Sequence, residues 1–307
     1  MRALFSPTGV RWLAAMSLLL AAFVTGCSTV AEIGTAVGQA SGMMTPEQAE
    51  SIKRSAAAVE KTFQDITPEQ EYYIGRSVAA TVLKAYKVYD NREAIEYINV
   101  LGQTLALASD MPETFGGYHF AILDSDEINA FAAPGGLIMI SKGMIRCCTT
   151  EDALAAVLAH EVGHVENQHG LKAIRKGRLT SALTILALEG AKQLGGENLA
   201  EVTKAFEGSI SDITSTLMNS GYSRKTEFEA DRSAVIVMGR VGYNPEALVS
   251  MLHEMKKNLK PGGLDFAKTH PDPDVRIAEL RKQLGEESRV QVVPSRQRRF
   301  EQAVGGI

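Results

Sequence analysis

Apolar positions recur along most of the chain at the three- and four-residue steps of helices, and only between about 118 and 145 do they crowd at the density of strands. The helical pattern predicts helices over 46–64, 68–88 and 92–109. "TPEQ" occurs at Thr45 and again at Thr67, each with a Thr cap, proline at the first helical position and Gln at the third. That is a capping-box start, so the repeat marks two helix beginnings and not a functional duplication. "YHFAILDS" (118–125) and "GLIMISKGMI" (136–145) read as strands, joined through "DEINAFAAPG" with its turn-forming Pro and Gly. Thr150 then caps a long helix with Glu151 and Asp152 in its first turn, where acids suit the helix dipole. The apolar stretch "LTSALTILALEGAKQLGG" is broken by Glu189, short of the roughly twenty residues a membrane span needs. Leu199, Val202, Phe206, Ile210, Ile213 and Leu217 continue at helical steps as one apolar stripe. Further helices cover 225–241, ended by Gly242, then the stretch from Asn244-Pro245-Glu246 to near Pro261, and 272–284. The element order predicts the α+β class, mostly helical with one small sheet, in a single domain over 45–284 followed by a flexible tail at 285–307.

The first residues follow a different pattern. Arg2 and Arg11 precede an apolar run from Trp12 to Val24, which has the length of a signal-peptide core and is too short to span a bilayer. Val24-Thr25-Gly26-Cys27 resembles the lipobox of bacterial lipoproteins. That resemblance implies removal of 1–26, lipidation at Cys27 and a lipidated tether over 27–44. Ser28 after the cysteine matches the pattern sorted to the outer membrane, so the chain is expected there, lipid-anchored and facing the periplasm. An ordinary signal peptide or an uncleaved anchor is the plainer alternative.

Composition adds constraints. A chain with 45% hydrophobic and 22% charged residues can bury a sizeable core. A formal charge of −4, with basic residues dispersed apart from a short cluster near Arg296, Arg298 and Arg299 at the tail, gives no reason to expect nucleic acid as a partner. Cys147 and Cys148 are adjacent and no C-x-x-C exists, which predicts small buried residues, not a disulfide framework or a cysteine zinc site.

The chemistry concentrates in "LAHEVGHVENQHG" (158–170). His160-Glu161-Val162-Gly163-His164 is an H-E-x-x-H pattern inside a predicted helix, so both imidazoles lie on one face and can reach a single ion. Glu161 stands beside them as a base for a metal-activated water. A catalytic zinc needs a third protein ligand. The spacing that would place it at 170 fails, because Asn167 and Gly170 stand where glycine and histidine are required. His169, five residues after His164, falls off the ligand face and reads as an exposed or capping histidine. In "YSRKTEFEADRSAV", Glu227 and Asp231 share one helix face and Glu229 points nearly opposite. Glu227 could complete a His-His-Glu site and Asp231 could accept the spare N–H of a ligating histidine. Ala230 is small enough to let this helix cross closely over the other. On residue chemistry alone, an ordinary acidic helix face is an equal reading.

Four landmarks occur together in order: Asn129-Ala130-Phe131 with Pro134-Gly135-Gly136; the motif at His160; Ser223-Arg224-x-x-Glu227-x-x-Ala230-Asp231; and Thr269-His270-Pro271 with Arg276-Ile277. With them the sequence resembles the zinc metallopeptidase family that includes the CAAX prenyl endopeptidases, the heat-shock protease HtpX and periplasmic lipoprotein proteases. The resemblance covers roughly 66–283. It implies a zincin-like α+β domain with its small sheet beside the active-site helix, one Zn2+ per chain, His160, His164 and Glu227 as metal ligands, and Glu161 as catalytic base. Asp231 is expected behind a ligand histidine, and Arg276 as a structural ion-pair partner. Asn129, Pro134, Gly135 and Gly136 are expected to present an edge on which an extended substrate adds as a strand, a plain turn being the alternative. His270 is expected in the active site, stabilising the oxyanion or swinging onto the open zinc position; otherwise it is a structural His-Pro before a helix capped by Asp272. The activity implied is endopeptidase cleavage of misfolded or misassembled envelope proteins. The alternative is an outer-membrane assembly chaperone or adaptor in which cleavage is secondary. Oligomeric state is not legible in these residues.

Overall fold

The second "TPEQ" forms the capping box its residues predict: Gln70 N–H donates to Thr67 Oγ1 at 3.2 Å, and Thr67 N–H donates to Gln70 Oε1 at 3.0 Å. The structure, a computed structural model, describes residues 27–40, 42, 45–47, 49, 50, 53, 66–177, 221–258, 270, 272–285 and 292–307. They belong to two units, one of Met1–Asp65 with Arg175–Ser209 and one of Ile66–Ile174 with Ile210–Ile307. In the first unit, Cys27–Ala40 is helix α1, within the stretch expected as a tether over 27–44. The helices expected at 46–64 and 179–220 lie largely or wholly outside the described residues.

The second unit carries α2 (Pro68–Ala85), α3 (Arg92–Leu107), β1 (His119–Leu123), β2 (Ala130–Ala133), β3 (Leu137–Ser141), α4 (Lys142–Cys147), α5 (Glu151–Glu166), α6 (Arg224–Arg240), α7 (Glu246–Asn258), α8 (Pro273–Leu284) and α9 (Pro294–Val304). The sheet order is β1-β3-β2, with β1 parallel and β2 antiparallel to β3. Two strand predictions need correcting. Ser141 Oγ accepts the Met144 N–H and starts α4, so 142–145 are helical. The "AFAA" of the supposed connection is β2 itself, paired from Ala130 opposite Ile140 to Ala133 opposite Leu137. Alanines carry little of the alternation that marks a strand.

Helix α5 runs through the centre. Every residue from Glu151 to Val165 is buried, so it shows no polar stripe. Thr150 caps it, its Oγ1 accepting from the Ala153 N–H. Around it pack Ile98 and Leu105 of α3, Ile138 and Ile140 of β3, and Leu248 and Leu252 of α7. Cys147 and Cys148 are buried and form no disulfide. The expected flexible tail is also corrected: α9 buries Phe300 and Val304 in the core, and Arg299 clasps the Glu151 carboxylate with two hydrogen bonds. Among the described residues no helix is long and apolar enough to cross a membrane.

Candidate metal centre

Helices α5 and α6 can cross closely because Gly163 presents no side chain, and Ala230 only a methyl group, at their meeting point. A Cβ added to Gly163 would lie 2.9 Å from the Ala230 carbonyl oxygen and 3.0 Å from Ser233 Cβ. Across this contact His160 and His164 face Glu227 and Asp231, all four buried. The two Nε2 atoms stand 3.1 Å apart. Glu227 places Oε2 3.5 Å from His160 Nε2 and Oε1 3.4 Å from His164 Nε2. His270 closes the group, its Nδ1 at 2.6 Å from Glu227 Oε2. One donor atom from each of these four residues fits within 4.8 Å of the others.

This donor set fits zinc. It consists of imidazole nitrogens and a carboxylate, the ligands that zinc takes in proteins. Glu227 Oε1 is buried and makes no hydrogen bond among the described residues. A lost partner of that kind costs about 1–3 kcal/mol or more, so an ion there would relieve it.

Behind the donors, Asp231 Oδ1 lies 2.9 Å from His160 Nδ1. A carboxylate only accepts, so His160 Nδ1 carries a proton toward Asp231, and Nε2, which faces Glu227 and His164, is the atom a metal would take. Arg276, fully buried, holds Asp231 in turn through Nε at 2.9 Å and Nη2 at 2.5 Å, and its Nη1 lies 3.7 Å from Glu227 Oε2. It forms the ion pair expected of it, with Asp231 as partner. Asp272 caps α8 by accepting the Asp274 N–H.

Electrostatics separate the groups. Burial raises Asp231, but Arg276 and His160 outweigh it and bring its carboxyl down to about 2. Burial also opposes ionisation of Glu227, yet the His270 and His164 imidazoles beside it hold it well below the usual carboxylate range. Burial pushes His164 down to about 3 and lowers His270 as well, against the opposing pull of Glu227 on both. Glu161 moves the other way: burial, opposed by His160 and aided by Glu227, lifts it to about 7. A carboxyl poised near neutrality can both accept and return a proton.

The remaining predicted residues fall in two groups. Asn129, Pro134, Gly135 and Gly136 flank β2 but do not belong to it. Pro134–Gly136 form a buried 3-10 turn against α2, where Gly75 leaves space for the Pro134 carbonyl. The sheet edge itself is Ala130–Ala133, packed on α5. His169 corrects the sequence reading: it is buried, with Nδ1 2.9 Å from His164 Nδ1 and Nε2 3.1 Å from Glu229 Oε2. Tyr222 has no counterpart in the sequence reasoning. Its ring stacks on His164 at 4.4 Å and 21°, and no spacing signal announces it.

Two histidines one turn apart and a glutamate from the crossing helix make a donor group of the kind that a catalytic zinc takes, with the Glu161 carboxyl buried beside it. The match to Peptidase family M48 spans residues 93–284, and the chain belongs to that family. It is 29% identical over 188 residues to the beta-barrel assembly-enhancing protease of Escherichia coli (strain K12), covering 61% of this chain and 38% of that protein. It is 32% identical over 164 residues to the mitochondrial metalloendopeptidase OMA1 of Schizosaccharomyces pombe, covering 52% and 44%. With a protease HtpX homolog of Salinibacter ruber the identity is 27% over 191 residues, covering 53% and 67%. The chain thus spans less than half the length of the first two relatives. The family, the α+β zincin-like class and the zinc cofactor implied by the four landmarks agree with these findings.

Proposed function

We propose that this chain is a lipid-anchored zinc endopeptidase of the bacterial envelope, held at the outer membrane by Cys27, that cleaves misfolded or misassembled envelope proteins. One observation carries the peptidase part: His160, His164 and Glu227 converge while Glu161, next in sequence to His160, sits buried with its carboxyl near neutrality. The envelope part is supported by the lipobox-like Val24-Thr25-Gly26-Cys27 and by a relative named for beta-barrel assembly.

In this reading His160, His164 and Glu227 hold the metal. Zinc bound there supplies Lewis acidity, polarising a scissile carbonyl and acidifying a nearby water. Glu161 removes a proton from the attacking water and later delivers it to the leaving amine, so its carboxylate is regenerated each turn. Asp231, steadied by Arg276, keeps the His160 ring in its ligating tautomer. The edge of β2, with Asn129 and the Pro134-Gly135-Gly136 turn at its ends, receives the substrate as an added strand. His270 fills the donor group as a fourth member; displaced from it, its imidazole would stabilise charge on the carbonyl oxygen.

A second reading, an assembly chaperone or adaptor in which cleavage is secondary, draws on the words "assembly-enhancing" in the name of that relative. Glu161→Gln separates the two. The test measures zinc content, casein cleavage and cellular complementation for wild type and variant. The protease reading expects zinc at one per chain in both, cleavage by wild type alone, and no complementation by the variant. Complementation by Glu161→Gln would favour the chaperone, and failure of the wild type to bind zinc would end the metal reading.

A further inference from the structure

His160 and His164 are both expected to bind zinc, yet only His160 has a carboxylate directly behind it. Behind His164 stands another imidazole. His169 Nδ1 lies 2.9 Å from His164 Nδ1, and on the far side of the same ring His169 Nε2 lies 3.1 Å from Glu229 Oε2. The His169 side chain is fully buried, whereas Glu229 is 30% exposed and reaches solvent.

The proton positions follow from this order. A carboxylate only accepts, so the Glu229 end requires a proton on His169 Nε2. A metal taken by His164 Nε2, the atom facing His160 Nε2 and Glu227, leaves the one proton of that ring on Nδ1, where it must donate across the 2.9 Å contact. His169 Nδ1 is then an acceptor, and the proton in the 2.9 Å contact belongs to His164 Nδ1.

The backbone is bent to achieve this. Helix α5 ends at Glu166, and Gln168 takes φ +52°, the one positive φ outside glycine among the described residues. Such a conformation costs on the order of 1 kcal/mol or more for a residue with a β-carbon. Had α5 continued, a residue five positions on would have left the face of His164; the turn folds His169 back against it. Gly170 makes room next door, since a Cβ there would lie 3.2 Å from Pro134 Cγ and 3.3 Å from the Tyr222 hydroxyl.

We propose that His169 is a positioning residue of the metal centre: backed by Glu229, it holds the proton on His164 Nδ1 and thereby directs Nε2 to zinc. The inference rests on the reading of His160, His164 and Glu227 as the ligands. It also gives the Glu227-x-Glu229-x-Asp231 run three separate duties on one helix, as donor, as remote anchor for His164 and as direct anchor for His160.

The test is zinc affinity of the full chain by competition with a chromophoric chelator, using zinc alone, for wild type, His164→Ala, His169→Leu and His169→Asn. Asparagine keeps an acceptor oxygen near the position of Nδ1, while leucine is of similar bulk and keeps none. Losing such a contact typically weakens metal binding about 10–100-fold. A loss of that size in His169→Leu, with affinity within about threefold of wild type in His169→Asn, is the expected result; a core filler would not show that rescue. Affinity within twofold of wild type in His169→Leu, while His164→Ala loses zinc, would overturn this inference and leave the ligand reading standing. Undiminished affinity in His164→Ala would defeat that reading and this inference with it. Should His169→Leu fail to fold, long-range 1H–15N spectra of the zinc-bound wild type decide. A proton on His164 Nδ1 with His169 protonated on Nε2 supports the proposal, and a proton on His169 Nδ1 overturns it.

Discussion

Replacing Gly163 by alanine adds one methyl group at the closest point between α5 and α6. In an isolated helix this exchange stabilises by about 1 kcal/mol, because glycine forfeits backbone entropy. Here the new carbon would lie 2.9 Å from the Ala230 carbonyl oxygen, 3.0 Å from Ser233 Cβ and 3.1 Å from Ala230 Cα. None of these atoms belongs to a side-chain end that can rotate away, so the helices themselves must part. Comfortable contacts lie near 3.5 Å, which asks for roughly half an ångström of separation. Overpacking of this kind costs about 1–3 kcal/mol, which exceeds the helical gain, and the domain should lose about 1 kcal/mol or more. The larger effect falls on the metal centre, since His160 and His164 sit on one side of the contact and Glu227 and Asp231 on the other. A misplacement near 1 Å can cost about a hundredfold in rate, so half of it predicts roughly tenfold in kcat/KM, with weaker zinc binding. The assays are thermal unfolding of the metal-free protein, chelator competition and casein cleavage. Gly239→Ala is the control: the same helix α6 offers open space there, and it should raise the Tm. A Gly163→Ala protein with raised Tm and unchanged zinc affinity would refute the close-crossing argument.

Three further outcomes are expected. Stripping zinc with a chelator should lower the Tm by on the order of 5–10 °C when free zinc had exceeded its Kd about a hundredfold, as scanning calorimetry can check. Asp231 sits at about 2 when folded, below its ordinary 3.8, so its contribution is complete above about pH 4 and lost as pH falls through about 2. It amounts to on the order of 2 kcal/mol, so urea unfolding of the metal-free protein should steepen with acidity more for wild type than for Asp231→Asn; parallel curves would count against the Arg276 pairing. Phe300→Ala should cost about 3 kcal/mol in urea unfolding, because α9 buries that ring, whereas a loose tail would register nothing.

Whatever depended on near neighbours was readable in the chain. The capping box at Thr67, the caps at Thr150 and Asp272 and the stop at Gly242 are contacts within four residues, and they stand where the residues indicate. The i, i+4 spacing of His160 and His164 also survives because it is a property of one helix. Signals failed where the side chains were uninformative or the charge was misleading. The alanines of β2 lack alternation, and the arginines at 296, 298 and 299 disguised the i, i+4 pair of Phe300 and Val304 that docks α9.

His169 shows the limit most clearly. Its spacing argued against contact with His164 as long as the helix was taken to continue, and a glutamine at positive φ is not something residue preferences announce. The sequence by itself determined the chemical inventory: the two histidines and the adjacent glutamate on one helix, the acidic run on another, and the class of metal they suit. Tertiary structure alone decided which acid of that run answers to which histidine, that Arg276 pairs with Asp231, and that His169 and Tyr222 join the group. The reason is that such contacts join residues from five to several tens of positions apart, set by helix crossing and a broken turn, and no local period encodes those distances.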